Sequence, residues 1–228
     1  CYCLYSRIYG GEEEMTWALD SRVRSAMISD SLDVLGVRNN AMSVSVKALR
    51  PEMRAVGLAA TVQFVADSQY DQKDPYGDGI DFLDTLQPGE VAVVSTGGDG
   101  LSAFWGELFS AAAKGRGGTG VVADGPLRDT EQIVGLDFPA FGFGTRPLDY
   151  KGRMRIKAMR ATVVCGGVEV NPGDGVIADA DGIVVVPAQH LAKVAELANA
   201  RAATEKSVLK DLLAGKSVRE VWNAYGVL

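Results

Sequence analysis

Glu107, Arg128 and Asp129 are the residues whose types and spacing best suit chemistry in this chain. Glu107 lies in VAVVSTGGDGLSAFWGEL, residues 91–108, and Arg128-Asp129 in GVVADGPLRDTEQI, residues 120–133. Each stands at the start of a helix-like segment behind an apolar, strand-like run. Ligands of α/β sheets gather outside the carboxyl ends of the strands. Two adjacent parallel strands would therefore bring a carboxylate, a guanidinium and a second carboxylate to one sheet edge. Such a set can hold a hydrated divalent cation and neutralise an oxyanion. On spacing alone, the same residues also read as a surface ion pair beside a helix-capping Asp.

The elements that must position them can be read in order. Residues 15–36 carry helical periodicity, with Ser29 or Asp30 placed to cap a second short helix and Gly36 to stop it. Residues 54–66 read as a strand, and 67–88 as a polar loop with a short helix near DFLDTL. A strand at 91–95, a helix over 101–114, a strand at 120–123, a helix over 129–134 and a strand at 139–143 follow. This alternation predicts a parallel sheet with right-handed crossovers. Residues 155–187 read as short β-segments joined by Gly-Gly and Asp-Gly turns, and 188–225 as helix. No repeat or linker interrupts the pattern, so 15–228 is expected to form one domain, with residues 1–14 poorly ordered or loosely docked.

Bulk composition excludes several classes. The 228 residues are 47% apolar with a net charge of -6, which argues against binding a nucleic-acid backbone. No run of 18 apolar residues exists, so no membrane span is expected. Cys1, Cys3 and Cys165 are too few for a disulfide framework, and residues 1–17 lack the apolar core of a secretory signal. A cytoplasmic location is the expectation. His190 is the single histidine, which excludes a His-rich zinc site and reads as a surface residue at a helix start.

Other motifs resolve into local structure. Gly115 to Gly120 match GxGxxG, but they follow a helix and open a strand, the reverse of a dinucleotide site. Asp179-Ala180-Asp181-Gly182 opens like a calcium loop, yet its twelfth residue is His190, so a hairpin turn explains it. Gly97-Gly98-Asp99-Gly100 lies between strand and helix and offers amides to a carboxylate or phosphate. Asp71, Asp74, Asp78, Asp81 and Asp84 read as a solvated turn and helix cap. Lys114, the nearest candidate for imine chemistry, reads as a solvent-facing helix-end cation.

Three stretches carry a family resemblance: ISDSLDVLG (28–36), WGELFSAAAKGRGGTGVVADGPLRD (105–129) and GGVEVNPGDGVIADADGIVVVP (166–187). Through them, residues 20–206 resemble the RraA-like superfamily. That group includes divalent-metal-dependent 4-hydroxy-4-methyl-2-oxoglutarate and 4-carboxy-4-hydroxy-2-oxoadipate aldolases, the class II pyruvate aldolases. Active members carry an acid, twenty residues, then Arg-Asp, a spacing matched here by Glu107, Arg128 and Asp129. The resemblance implies that Asp129 ligates Mg²⁺ or Mn²⁺ and that Arg128 binds the pyruvyl oxygens. The amides from Gly106 through Glu107 to Leu108 would take the substrate carboxylate. It further implies that Asp30 and Glu205 serve a neighbouring subunit's site, Glu205 on the weaker motif ARAATE. The implied fold is a compact phosphohistidine-domain-like sandwich, a swivelling β/β/α arrangement with a C-terminal helix, assembled as a homotrimer or dimer of trimers.

One position departs from the pattern, since the first acid is usually Asp and here is Glu107. An added methylene moves a carboxylate by roughly 1 Å, a displacement that can cost about a hundredfold in rate. The expected activity is a lyase that cleaves 4-hydroxy-2-oxo acids to pyruvate and a carbonyl product and decarboxylates oxaloacetate. A different class is represented in the same superfamily by non-catalytic regulators that bind a ribonuclease and lack the acid-spacer-Arg-Asp set. A methyltransferase is not implied, because nothing here resembles a methyl-donor site of the Rossmann type.

Overall fold

The computed structural model describes residues 17–228, and the expectations for residues 1–14, with Cys1 and Cys3, lie outside them. In chain order, α1 (Ser25–Val34) leads to the short β1 (Lys47–Ala48) and the long β2 (Ala55–Ala66). Then come α2 (Gly77–Thr85), β3 (Glu90–Ser95), α3 (Glu107–Gly115), β4 (Gly120–Ala123), α4 (Thr130–Gly135) and β5 (Ala140–Gly142). Five short strands follow: β6 (Met154–Met159), β7 (Val163–Cys165), β8 (Val168–Val170), β9 (Gly175–Asp179) and β10 (Gly182–Val186). The chain closes with α5 (Leu191–Leu213) and α6 (Val218–Tyr225).

The parallel core expected from the βαβ rhythm is present: β2, β3, β4 and β5 are successive parallel neighbours. Both faces of these strands are covered, so they read as continuous apolar runs rather than alternating ones. The whole sheet is mixed, however. β9 and then β10 add antiparallel beside the first half of β2, and β6 pairs with its second half across a register shift at Gln63/Phe64. β1 pairs antiparallel with β5 at the opposite edge. Ala41, a few residues before β1, bridges Val184 of β10. The segment 41–48 thus reaches both end strands and nearly closes the sheet into a barrel.

Three apolar clusters fill the interior. Ala60, Val62, Ala92, Val94, Val121 and Ala123 pack under α2, α3 and α4. Further along the same side of β2, Val56, Ile177, Val184 and Val186 pack with Trp17, Leu32, Leu191 and Val194 of the α1–α5 layer. On the opposite side, Val91, Val93, Val122 and Phe141 meet the β7–β8 hairpin through Val163, Cys165 and Val170. Burying these aliphatic side chains, each worth about 1.5–3 kcal/mol, supplies the main driving force for the fold.

Two expectations about helix starts are corrected. Ser29 and Asp30 do not cap a second helix, because both lie inside α1. The cap comes from far along the chain, where Asp179 accepts from the Ser25 amide at 2.7 Å and the Ser25 hydroxyl at 2.6 Å. Gly36, at φ +72, ends the helix as expected. The helix expected over 101–114 starts only at Glu107, because residues 103–105 are drawn into bridges with Asp149 and Leu127. The turn readings at Gly115–Gly120 and Asp179–Gly182 hold: the first ends α3 and enters β4, and the second joins β9 to β10.

Candidate active site

The site forms beyond the carboxyl ends of β3, β4 and β5, where the connecting loops continue to pair. Trp105 bridges Leu127 and Leu127 bridges Thr145, both in parallel, and the Arg128 amide donates to the Trp105 carbonyl at 3.0 Å. This laddering holds the start of α3 against the start of α4. Glu107 is the first residue of α3 and Asp129 the residue before α4. The Asp129 Oδ2 accepts from the Glu107 amide at 3.3 Å. Asp129 occupies the left-handed region at φ 53, a conformation Asp tolerates better than most side chains.

Gly106 makes this approach possible. A Cβ built there would stand 2.5 Å from Asp129 Oδ2, 3.1 Å from Arg128 Cγ and 3.3 Å from Arg128 Nε. The hydrogen atoms of Gly106 therefore form the floor over which both side chains pass. Arg128 Nε lies 3.6 Å from Asp129 Oδ2, and the two side chains are 33% and 42% exposed, open enough to meet a solute. The amides of Glu107 and Leu108 belong to the first turn of α3 and have no intrahelical acceptor, so the positive end of the helix faces the same opening.

Three further residues complete the surroundings, and none was singled out from sequence. Asp149 Oδ2 lies 3.5 Å from Arg128 Nη1 and also accepts a short hydrogen bond from the Tyr76 hydroxyl. That bond, helped by burial, raises the Tyr76 pKa. Tyr150 packs edge-on against Tyr76 and Phe64, and burial pushes its phenol well above the ordinary value. Both tyrosines therefore stay neutral throughout the physiological range. Tyr76, Asp149, Tyr150, Gly106 and Arg128 share a recess of about 20 Å³, room for a single water. An acid beside Arg128 is the kind of signal a sequence offers, but Asp149 lies in a loop with no periodicity to mark it.

The other expected residues fall elsewhere. Asp30 and Glu205 meet through Arg201, which lies 2.9 Å from Asp30 Oδ2 and 2.8 Å from Glu205 Oε1, on the α1–α5 layer. Within this chain they are joined to one another and not to Arg128. Near the site, Arg146 and Arg153 are turned to backbone and donate to the carbonyls of Gly100 and Asp149. Lys151 sits 5.3 Å over the Tyr76 ring. Lys114 donates to the Leu136 carbonyl at the end of α4. At Gly97–Gly100, Asp99 itself accepts from the Leu101 amide. Among the described residues no three His, Cys, Asp or Glu side chains converge as a metal cage, and no helix is long and apolar enough to cross a membrane.

Known proteins resemble this chain in sequence and in fold. A protein of Halalkalibacterium halodurans named "Putative 4-hydroxy-4-methyl-2-oxoglutarate aldolase" is 31% identical over 188 residues, covering 81% of this chain and 82% of that protein. Protein DlpA of Legionella pneumophila is 27% identical over 201 residues, which are 88% of this chain but 32% of DlpA, so this chain spans about a third of that relative. Among solved structures, Streptomyces coelicolor RraAS2, described as an unusual member of the RNase ES inhibitor RraA protein family, matches with a TM-score of 0.71 at 31% identity. That match covers 81% of this chain and 91% of RraAS2. The family model described as Aldolase/RraA matches residues 25–185, and the chain belongs to the RraA-like family.

Proposed function

We propose that this protein is a divalent-metal-dependent carbon–carbon lyase, a class II pyruvate aldolase that also decarboxylates oxaloacetate. The observation that carries the reading is the convergence of the Asp129 carboxylate and the Arg128 guanidinium on the Glu107 amide, over a glycine whose Cβ would block them. A half-exposed carboxylate with an open side fits Mg²⁺ or Mn²⁺, which bind through one or two carboxylates and otherwise keep water and substrate oxygens. When bound, such a cation withdraws electrons from a chelated 2-oxo acid.

The chain's own groups then divide the work. The Leu108 amide and the Glu107 amide, whose one hydrogen is shared with Asp129 Oδ2 at 3.3 Å, take the substrate carboxylate at the positive end of α3. Arg128 places a fixed positive charge beside the 2-oxo oxygen, where negative charge grows as the C3–C4 bond breaks and its electron pair moves onto the pyruvyl fragment. The 4-hydroxyl loses its proton as C4 becomes a carbonyl, and to Glu107 we assign the receipt of that proton through a water. C3 is then reprotonated and pyruvate leaves. We place Asp30 and Glu205 of a neighbouring copy over the open side of Asp129, in a homotrimer or a dimer of trimers. The phosphohistidine-type sandwich is the finer kinship we propose for the nearly closed sheet.

The test gives purified protein oxaloacetate and a 4-hydroxy-2-oxo acid with Mg²⁺ and follows pyruvate. Metal-dependent release that is lost in Arg128→Ala supports the reading. No release, or full activity in that variant, overturns it, and co-purification with a ribonuclease without metal affinity would move the protein to the regulatory class.

A further inference from the structure

The acidic loop after β2 is solvated, as its composition predicts, and its exposed aspartates also wall an open cavity of about 370 Å³ next to the candidate site. Asp71, Asp74, Asp78 and Asp81 line it, and Tyr76 and Tyr150 line both this cavity and the recess that holds Arg128 and Gly106. The two spaces thus share a wall of two tyrosines. Arg155 is the one basic residue among the described residues lining the cavity, and Asp67 holds it at 2.7 Å. The field inside is consequently negative. Tyr150 is 7% exposed and its hydroxyl has no hydrogen-bond partner among the described residues. That hydroxyl points at Gly79 in the cavity wall, where a Cβ would stand 2.6 Å from it. A buried, unsatisfied hydroxyl is costly, and a partner brought by a ligand would relieve it.

We infer that this cavity receives the distal end of the lyase substrate and selects a hydroxylated, uncharged tail over a carboxylated one. The inference rests on the lyase reading for the position of the pyruvyl end. With that end held at Arg128 and the Glu107 amide, the carbons beyond C4 extend past Tyr76 toward the four aspartates. Carboxylates accept hydrogen bonds from sugar-like hydroxyls, and tyrosine rings offer flat apolar faces to the carbon chain. A second carboxylate at C4 would meet like charges, which discriminate by repulsion. The substrate class is therefore a 2-oxo-3-deoxy sugar acid rather than a dicarboxylic 4-hydroxy-2-oxo acid.

Pyruvate release from 2-oxo-3-deoxyhexonate is compared with release from 4-hydroxy-2-oxoglutarate, in the intact protein and in the double variant Asp78→Asn/Asp81→Asn. The wild type is expected to favour the hexonate in kcat/KM, and the double variant to reduce that ratio by roughly tenfold, the order of a charge contact near a protein surface. General damage lowers both substrates in proportion and leaves the ratio in place. A wild-type preference for 4-hydroxy-2-oxoglutarate, or a ratio unmoved in the variant, overturns the inference. Should neither acid release pyruvate, the lyase reading fails, and calorimetric binding of the same two acids then decides the cavity's role. Preferential binding of the hexonate that weakens in the double variant supports the selective cavity, and equal binding overturns it.

Discussion

The missing side chain of Gly106 and the carboxylate of Asp129 occupy adjacent space: a Cβ on the first would lie 2.5 Å from Oδ2 of the second. Gly106 is extended, at φ -148, so alanine suits its backbone and the conflict falls on the Asp129 and Arg128 side chains. Gly106→Ala is expected to lower kcat/KM for pyruvate release by about a hundredfold through displaced groups. Stability should change by less than about 1 kcal/mol, since the displaced groups are side chains facing solvent. Parallel kinetics and thermal melts check both halves, and an unfolded Gly106→Ala would refute the claim that only the site is affected.

Asp129 carries a positive φ of 53 as well as its charge, and the two can be separated. Asn also tolerates the left-handed region, whereas alanine would add backbone strain. Asp129→Asn should keep the native circular dichroism while weakening Mg²⁺ binding by at least about tenfold, the usual floor for loss of a group that serves a metal. Titration calorimetry measures this directly.

The structure's most demanding ion pair lies away from the site. Glu90 is 3% exposed and is gripped by both terminal nitrogens of Arg160, at 2.7 and 2.8 Å, while also accepting from the Gln87 amide at 2.9 Å. Removing Arg160 takes both of these charge-assisted bonds from a buried carboxylate. Arg160→Ala should cost about 3 kcal/mol in urea unfolding, and the double change with Glu90→Gln should recover part of it.

Acid should loosen the C-terminal helix early. Asp211 accepts from Lys216 at 2.8 Å and Tyr225 at 2.9 Å, and the Lys216 bond holds its pKa below 3.8. Glu220 completes a capping box with Ser217, whose amide holds the Glu220 pKa below 4.5. Both folded values lie below the unfolded ones, so the stabilisation is present above about pH 4.5 and disappears as pH falls through the folded values. Hydrogen exchange corrected for its intrinsic pH dependence should show residues 214–225 losing protection on acidification before the central strands do. Simultaneous loss would contradict this account.

The parts of the fold legible in the sequence were those decided locally. β3 and β4 announce themselves because strands covered on both faces leave unbroken apolar runs, and Gly36 marks a helix end through its own backbone freedom. The start of α1 leaves no local mark because its cap, Asp179, lies 154 residues away. The start of α3 is masked because residues 103–105 are as apolar as a buried helix but are held by bridges to neighbouring loops. Glu107, Arg128 and Asp129 could be picked out since each borders a regular element. Asp149 could not, since its bond to Tyr76 spans 73 residues between two loops and leaves no periodic trace.

The strap at 41–48 has a kinetic meaning. It bonds to β10 at Ala41 and Met42 and to β5 at Lys47 and Ala48, so it can settle only once both ends of the sheet exist. Closure is then a late event that waits on contacts between distant parts of the chain, and such topologies fold slowly. Until it happens, two strand borders stand open to neighbouring molecules. A single cut in the strap should turn a discrete particle into one that sticks to its own kind.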